Sequence, residues 1–171
     1  MPTRITHRSS TAFTLIEMML VVIIVGIFAA LAVPYAGSAA QSQLPAAMRI
    51  LEADLGFAQA HAIAHQHDPC VIVFDKVTNR YFLALTSAPT VPLTHPGDNQ
   101  PYTMKFGLGR ASNLSRVSIK TLVVGDDNQL AFGSLGQLDQ NTAAAITLTD
   151  GNSDMTITLD PITGLGTITR P

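Results

Sequence analysis

Apolar residues follow different patterns along the chain, and each pattern predicts a different kind of element. Near the N-terminus, residues 18–33 contain no charged or strongly polar side chain, and residues 13–17 extend this stretch with Thr14 and Glu17 as its polar positions. About 20 such residues form a helix of about 30 Å, the thickness of the hydrocarbon core of a bilayer. Lipid offers the backbone N–H and C=O groups no partner, so the stretch must be helical. The first pattern therefore predicts a transmembrane helix over residues 13–34.

The second pattern is an apolar stripe with helical spacing, which predicts an amphipathic continuation of the helix over residues 35–68. Apolar residues recur three and four positions apart, so they would share one helical face. They are Leu44, Met48, Leu51, Leu55, Ala58 and Ala62. Arg49 and Glu52 fall on other faces, and Pro45 should bend or loosen the helix locally. A helix from residue 13 to residue 65 would be about 80 Å long.

The third pattern consists of short strand-like runs from residue 70 to the C-terminus. The candidate strands are 70–75, 80–86, 102–106, 116–124, 129–132, 144–149, 155–159 and 166–169. Residues 87–101 contain four prolines and are predicted to form an exposed loop, because proline cannot donate to a sheet. One long helix followed only by short strands predicts an α+β fold, with a β-rich domain over residues 69–171.

Composition narrows the classes of protein to consider. Charged residues make up 13% of the chain, well below the roughly 25% of typical soluble domains. The net charge of −2 gives no bulk attraction to nucleic acid or to acidic lipid. Cys70 is the only cysteine, so the chain has no intramolecular disulfide, and its apolar surroundings predict a small residue in the core.

Charge around the apolar stretch predicts its orientation. Arg4 and Arg8 precede the stretch, and the next basic residue after it is Arg49. This asymmetry places the N-terminus in the cytoplasm and the β-rich domain on the other side of the membrane. Glu17 is the exception within the stretch: either it is a functional residue with a partner, or it lies at the headgroup level and is solvated. Its position alone does not separate the two.

The order of residues at the start of the chain resembles the prepilin signature of type IV pilins and of the pseudopilins of type II secretion. A basic leader, residues 1–12, is followed by Phe-Thr-Leu-Ile-Glu at 13–17 and then by the apolar stretch. The resemblance implies that a prepilin peptidase cuts between Ala12 and Phe13 and methylates the new amino group of Phe13. It also implies that Glu17 pairs with the Phe13 amine of a neighbouring subunit, and that Pro34 bends the helix. Ala12 stands where the family usually has glycine, another small residue.

A narrower resemblance runs through the rest of the chain. The segments that carry it are 55–63 (LGFAQAHAI), 71–74 (VIVF), 131–136 (AFGSLG), 156–159 (TITL) and 164–168 (GLGTI). In this order they resemble the H-type minor pseudopilins and the FimT-like minor pilins, although Gln59 stands where that family often has arginine. The resemblance implies a pilin-like fold, in which the long N-terminal helix packs on a mainly antiparallel sheet.

Three groups of residues could suggest other chemistry, and each has a simpler interpretation. His61 and His65 have the spacing of a helical zinc pair, followed by His67 and Asp68, but no third ligand is assured, so we interpret the group as a polar flank of the helix. Asp150, Asn152 and Asp154 match the first ligands of a calcium loop whose remaining positions fail, which favours a polar turn. No nucleophile motif or phosphate loop is present. We therefore expect no enzyme activity, no metal and no cofactor.

The prediction for function is a structural minor pseudopilin or minor pilin, held in the bacterial inner membrane by a single span. Its expected partners are the prepilin peptidase and other pilin subunits, through the N-terminal helix. One alternative is a DNA-binding minor pilin, for which the candidate cations are Arg110, Arg116, Lys120 and Arg170. The other is an ordinary secreted β-rich protein, with a signal peptide removed near the small residues 36–40.

Overall fold

A computed structural model describes residues 14–41, 43–125 and 127–170 of the chain. The described chain forms two compact units that divide between Ala39 and Ala40. Helix α1 (Leu15–Gln41) accounts for the first unit and includes Pro34. Ala12 and Phe13, the predicted cleavage site, lie outside the described residues.

The second unit begins with helix α2 (Gln43–Ala64), whose apolar face is the stripe seen in the sequence. All six stripe residues are buried, and Ala47 and Asp54 are buried beside them. Arg49 and Glu52 are exposed, as the spacing requires. Pro45 lies in the first turn of α2, where a backbone N–H has no partner within the helix and proline is tolerated.

Two antiparallel sheets follow in the described part of the domain. The strands are β1 (Cys70–Asp75), β2 (Arg80–Leu85), β3 (Ala88–Pro92), β4 (Thr103–Lys105), β5 (Ser118–Val123), β6 (Gln129–Ala131), β7 (Ala144–Thr149), β8 (Asp154–Leu159) and β9 (Gly166–Thr169). The first sheet has the order β3-β2-β1-β6, with β4 also pairing with β2, and the second has the order β5-β7-β8-β9. A short 3₁₀ helix, η1 (Gly109–Leu114), connects β4 to β5.

The two sheets share one core because α2 packs against both. The helix contacts β1 of the first sheet and β7 and β8 of the second. Alternate residues of β7 point inward against it: Ala144, Ile146 and Leu148 are buried. The predicted α+β fold, a helix packed on antiparallel sheets, is therefore confirmed.

Most predicted strands are present, and the β1–β2 hairpin has the predicted turn at residues 76–79. Cys70 begins β1 and is fully buried, which raises the pKa of its thiol to about 12. The predicted loop at 87–101 is wrong in its first part, because β3 pairs there with β2. In the described sheet β3 is an edge strand, and an edge strand needs hydrogen-bond donors on one side only, so it tolerates Pro89 and Pro92.

A buried carboxylate ties α2 to the first sheet. Asp54 accepts a hydrogen bond from the hydroxyl of Tyr81 on β2 at 2.6 Å and another from the hydroxyl of Tyr102 at 2.9 Å. Burial raises the pKa of Asp54 above its ordinary value, and the two phenol donors oppose that rise. The folded state therefore holds the Asp54 proton more tightly than the unfolded state does. This single group contributes less to stability as pH rises from its ordinary pKa of 3.8 through its raised value.

We predict that Tyr81→Phe destabilises the domain in a pH-dependent way. The substitution removes one donor from the ionised carboxylate, which should cost about 1.5–3 kcal/mol near neutral pH. The cost should shrink as the pH is lowered and Asp54 takes up a proton. Urea unfolding of the purified chain, followed by circular dichroism at several pH values, measures both effects. In an Asp54→Asn background the pH dependence of the Tyr81→Phe cost should disappear, and its persistence there would contradict this account.

Candidate functional site

The N-terminus of α1 is capped by the residue that precedes it. The carbonyl oxygen of Thr14 accepts hydrogen bonds from the backbone N–H groups of Glu17 at 3.1 Å and of Met18 at 3.3 Å. The Thr14 hydroxyl lies 3.4 Å from the Glu17 nitrogen and accepts from it as well. Thr14 and Glu17 are three positions apart, which is the spacing of a capping box. Glu17 contributes its backbone N–H to this capped helix start, which the Thr-x-x-Glu pattern of the sequence indicates.

The side chain of Glu17 is exposed, and the ion pairs recorded among the described residues do not include it. Its predicted partner, the Phe13 amine of another subunit, lies outside the described residues. The arrangement around Glu17 leaves its carboxylate open to a group from another molecule. Pro34 lies inside α1, and the bend expected there stays a prediction.

Between residues 15 and 28, large apolar side chains are exposed on all faces of α1. They are Leu15, Ile16, Met18, Met19, Leu20, Val21, Val22, Ile23, Ile24, Val25, Ile27 and Phe28, with exposures from 43% to 80%. An isolated helix that is apolar on every face is not stable in water and needs an apolar surrounding. Within the part of the chain that the structure describes, no helix combines the length and the apolarity needed to cross a membrane.

The histidines at the end of α2 form a stacked pair. The rings of His61 and His65 lie 4.2 Å apart, and burial, together with the nearby His65, lowers the pKa of His61. Asp68 is engaged elsewhere, since its carboxylate accepts from the backbone N–H and the hydroxyl of Ser87 at 3.0 and 2.7 Å. Among the described residues no group of three or more histidine, cysteine or acidic side chains is placed to hold a metal ion.

Asp150 lies in the turn between β7 and β8, as predicted, and Asp154 is the first residue of β8. The Asp150 carboxylate accepts hydrogen bonds from the backbone N–H groups of Asn152 at 2.9 Å and of Ser153 at 2.7 Å. Asp154 forms an ion pair with Lys120 on β5. These contacts account for the two carboxylates without a calcium ion.

Several basic residues that could contact DNA are already paired with carboxylates. Arg110 forms an ion pair with Asp98, and Lys120 with Asp154. Pairing of this kind lowers the positive potential that attracts phosphate. The geometry of these two cations therefore gives no support to a DNA-binding surface.

Gln59 joins two turns to the end of α2. Its amide nitrogen Nε2 donates to the carbonyl oxygen of Gly136 at 2.7 Å and to that of Thr163 at 3.0 Å. The two turns also touch each other, because the backbone N–H of Leu138 donates to the carbonyl oxygen of Pro161 at 3.0 Å. Segments 55–63, 131–136 and 164–168, which carry the narrower resemblance, thus meet in one place. We call this arrangement the Gln59 clamp.

Gly164 fits into the clamp only because it lacks a side chain. Its φ angle is +66°, and a Cβ atom there would lie 2.1 Å from the carbonyl oxygen of Gly136 and 2.6 Å from Nε2 of Gln59. The first of these neighbours is backbone, which cannot rotate away. The close approach of the two turns therefore depends on glycine at this position.

The family model of the prokaryotic N-terminal methylation motif matches residues 7–33 of the chain. No curated protein and no solved structure matches the chain. The matched motif is the signal of type IV pilin-like proteins and supports a pilin or pseudopilin, a class of structural subunits. It implies processing by a prepilin peptidase and assembly with other pilins.

We predict that Gly164→Ala disrupts the clamp and destabilises the domain by about 3 kcal/mol or more, because a disfavoured φ and a backbone collision act together. Gly151→Ala is the matched control: its φ is +90°, but a Cβ atom there meets nothing within 4 Å. The control should cost about 1–2 kcal/mol, from backbone conformation alone. Chemical unfolding of both variants measures the difference, and equal costs would show that the contact with Gly136 is unimportant.

Proposed function

We propose that the chain is a minor pseudopilin or minor pilin: a structural subunit of a filament that is anchored in the inner membrane before assembly. The observation that carries this proposal is the match of residues 7–33 to the methylation motif. The exposed apolar side chains of α1 support it, since a filament core would cover them. The α+β domain that follows is the part that would face outward.

The proposed processing is cleavage between Ala12 and Phe13, followed by methylation of the Phe13 amino group. Before cleavage, residues 13–34 would hold the subunit in the membrane, with the N-terminus in the cytoplasm and the domain from residue 69 outside. The basic residues Arg4 and Arg8 ahead of the apolar stretch support this orientation.

The proposed role of Glu17 is to set the register of a subunit in the filament. A carboxylate and an amine in apolar surroundings are tolerated only as a pair, because each alone loses its hydration. An incoming subunit would gain this pair only when its Glu17 reaches the Phe13 amine of a neighbour. The exposure of Glu17 on α1 is compatible with such a contact.

We place the chain nearest to the H-type minor pseudopilins and FimT-like minor pilins, with type II secretion or pilus assembly as its setting. The order of segments 55–63, 131–136 and 164–168 supports this placement, and they meet in one place, although the residue that joins them, Gln59, stands where that family often has arginine. The placement implies no catalytic activity and no cofactor. The ion pairs of Arg110 and Lys120 disfavour the alternative function in DNA uptake.

We predict that the protein isolated from native membranes begins at N-methylated Phe13. N-terminal sequencing combined with intact mass measures the cleavage and the methyl group together. A chain beginning near residues 39–41 would instead identify a secreted protein with an ordinary signal peptide. An uncut chain would contradict prepilin processing at Ala12.

We predict that Glu17→Ala leaves membrane insertion and cleavage intact but abolishes incorporation into filaments, as measured by fractionation of sheared filaments. Glu17→Gln is the sharper test, because glutamine has a similar size but carries no charge. If charge pairing is the function, both variants fail to incorporate. Normal incorporation of the glutamine variant would contradict the charge pair.

A further inference from the structure

The Gln59 clamp presents four exposed apolar side chains at one end of the domain. Leu135 and Ile162, at the tips of the two clamped turns, are 86% and 82% exposed. Leu165 follows Gly164 and is 65% exposed, and Ile63 on α2 is 48% exposed. Large apolar side chains that are grouped and exposed in this way mark interaction surfaces more often than scattered ones do. We call these four residues the apolar platform.

The platform is held in place by contacts beneath it. Gln59 binds the residue after Leu135 and the residue after Ile162, namely Gly136 and Thr163. The Cδ1 atom of Ile63 lies 3.2 Å from the position that a Cβ atom on Gly136 would take. Surfaces fixed before binding lose little conformational entropy when a partner docks.

The turn that carries Ile162 is further fixed by Asp160. Its carboxylate accepts hydrogen bonds from the backbone N–H groups of Ile162 at 3.0 Å and of Thr163 at 2.8 Å. These contacts lower the pKa of Asp160, so it stays ionised at the edge of the platform. The same group therefore shapes the turn and charges its rim.

The surroundings of the platform are acidic. Asp160 and Asp139 lie beside the two clamped turns and are exposed, and Glu52 lines a shallow cavity together with Leu165. An apolar centre with an acidic rim is complementary to an apolar surface edged by lysine or arginine.

We propose that the apolar platform docks a different protein subunit of the same filament, through an apolar surface with a basic edge. This inference rests on the proposed function, because that function supplies the filament. A symmetric pair of copies of this chain is disfavoured, since the same acidic rims would face each other across the interface. The rim also disfavours anionic lipid as the surface that the platform contacts.

The test is site-specific photo-crosslinking in native cells, with a photoreactive residue placed at Leu135 or at Ile162 of the full chain. Val77, which is 96% exposed in the β1–β2 turn, provides the matched control. Both platform positions should yield an adduct with another protein that bears its own N-terminal methylation motif, identified by mass spectrometry. The control position should not yield that adduct.

A charge variant tests the acidic rim. Asp139→Lys places a like charge opposite the expected basic edge and should lower the yield of the adduct from Leu135 by about tenfold. Thr90→Lys, on β3 at the opposite edge of the first sheet from β6, should leave the yield unchanged. Equal yields from both variants would show that the acidic rim does not contribute to docking.

Sequencing the N-terminus of the same protein sample distinguishes failure of the platform proposal from failure of the proposed function. An N-methylated Phe13 chain that crosslinks only to lipid, to another copy of itself or to nothing would overturn the platform proposal alone. A chain that is neither cleaved nor methylated would overturn the proposed function and this inference with it.

Discussion

The structure of the domain depends on the burial of one face of α2 between two sheets. The stripe from Leu44 to Ala62 covers β1 of the first sheet and β7 and β8 of the second, so neither sheet has a core of its own without the helix. Burial of apolar surface is the dominant stabilising term in such a domain. The residues on the other faces of α2 are free of the core. Gln59 therefore binds the two clamped turns, and Glu52 lies beside Leu165 of the platform. The platform at the end of the domain exists because α2 extends far enough to hold both turns.

The two helices differ in how their apolar residues are distributed, and this decides whether the apolar surface is buried within the domain. In α2 the apolar residues recur every three or four positions and are satisfied within the domain. In α1, from Leu15 to Phe28, they occupy every face. The described residues of the same unit leave this apolar surface exposed. The chain therefore contains one helix whose apolar face is buried within its own domain and one whose large apolar side chains are exposed.

Local patterns predicted much of this fold, and the failures have identifiable causes. The stripe of α2 and the β1–β2 hairpin were predictable because helical spacing and turn residues are short-range signals. Strand β3 was missed because proline argues against a strand unless the strand is known to lie at an edge, which is a property of the assembled sheet. The pairing of Asp54 with two tyrosines and the grip of Gln59 on Gly136 join residues far apart in sequence, and no local pattern indicates them. The capping role of Thr14 is predictable from the Thr-x-x-Glu pattern at residues 14–17, which is a local signal.

The buried carboxylate of Asp54 imposes an order on the folding of a newly made chain. Its two hydroxyl partners follow it by 27 and 48 residues, so α2 is synthesised well before either of them. A carboxylate buried without its donors is unfavourable, so the docked position of α2 is favoured only once Tyr81 and Tyr102 are available. The other partners of the helix, β7 and β8, are synthesised later still. The apolar face of α2 therefore lacks its complete partner surface until nearly the whole domain has been made.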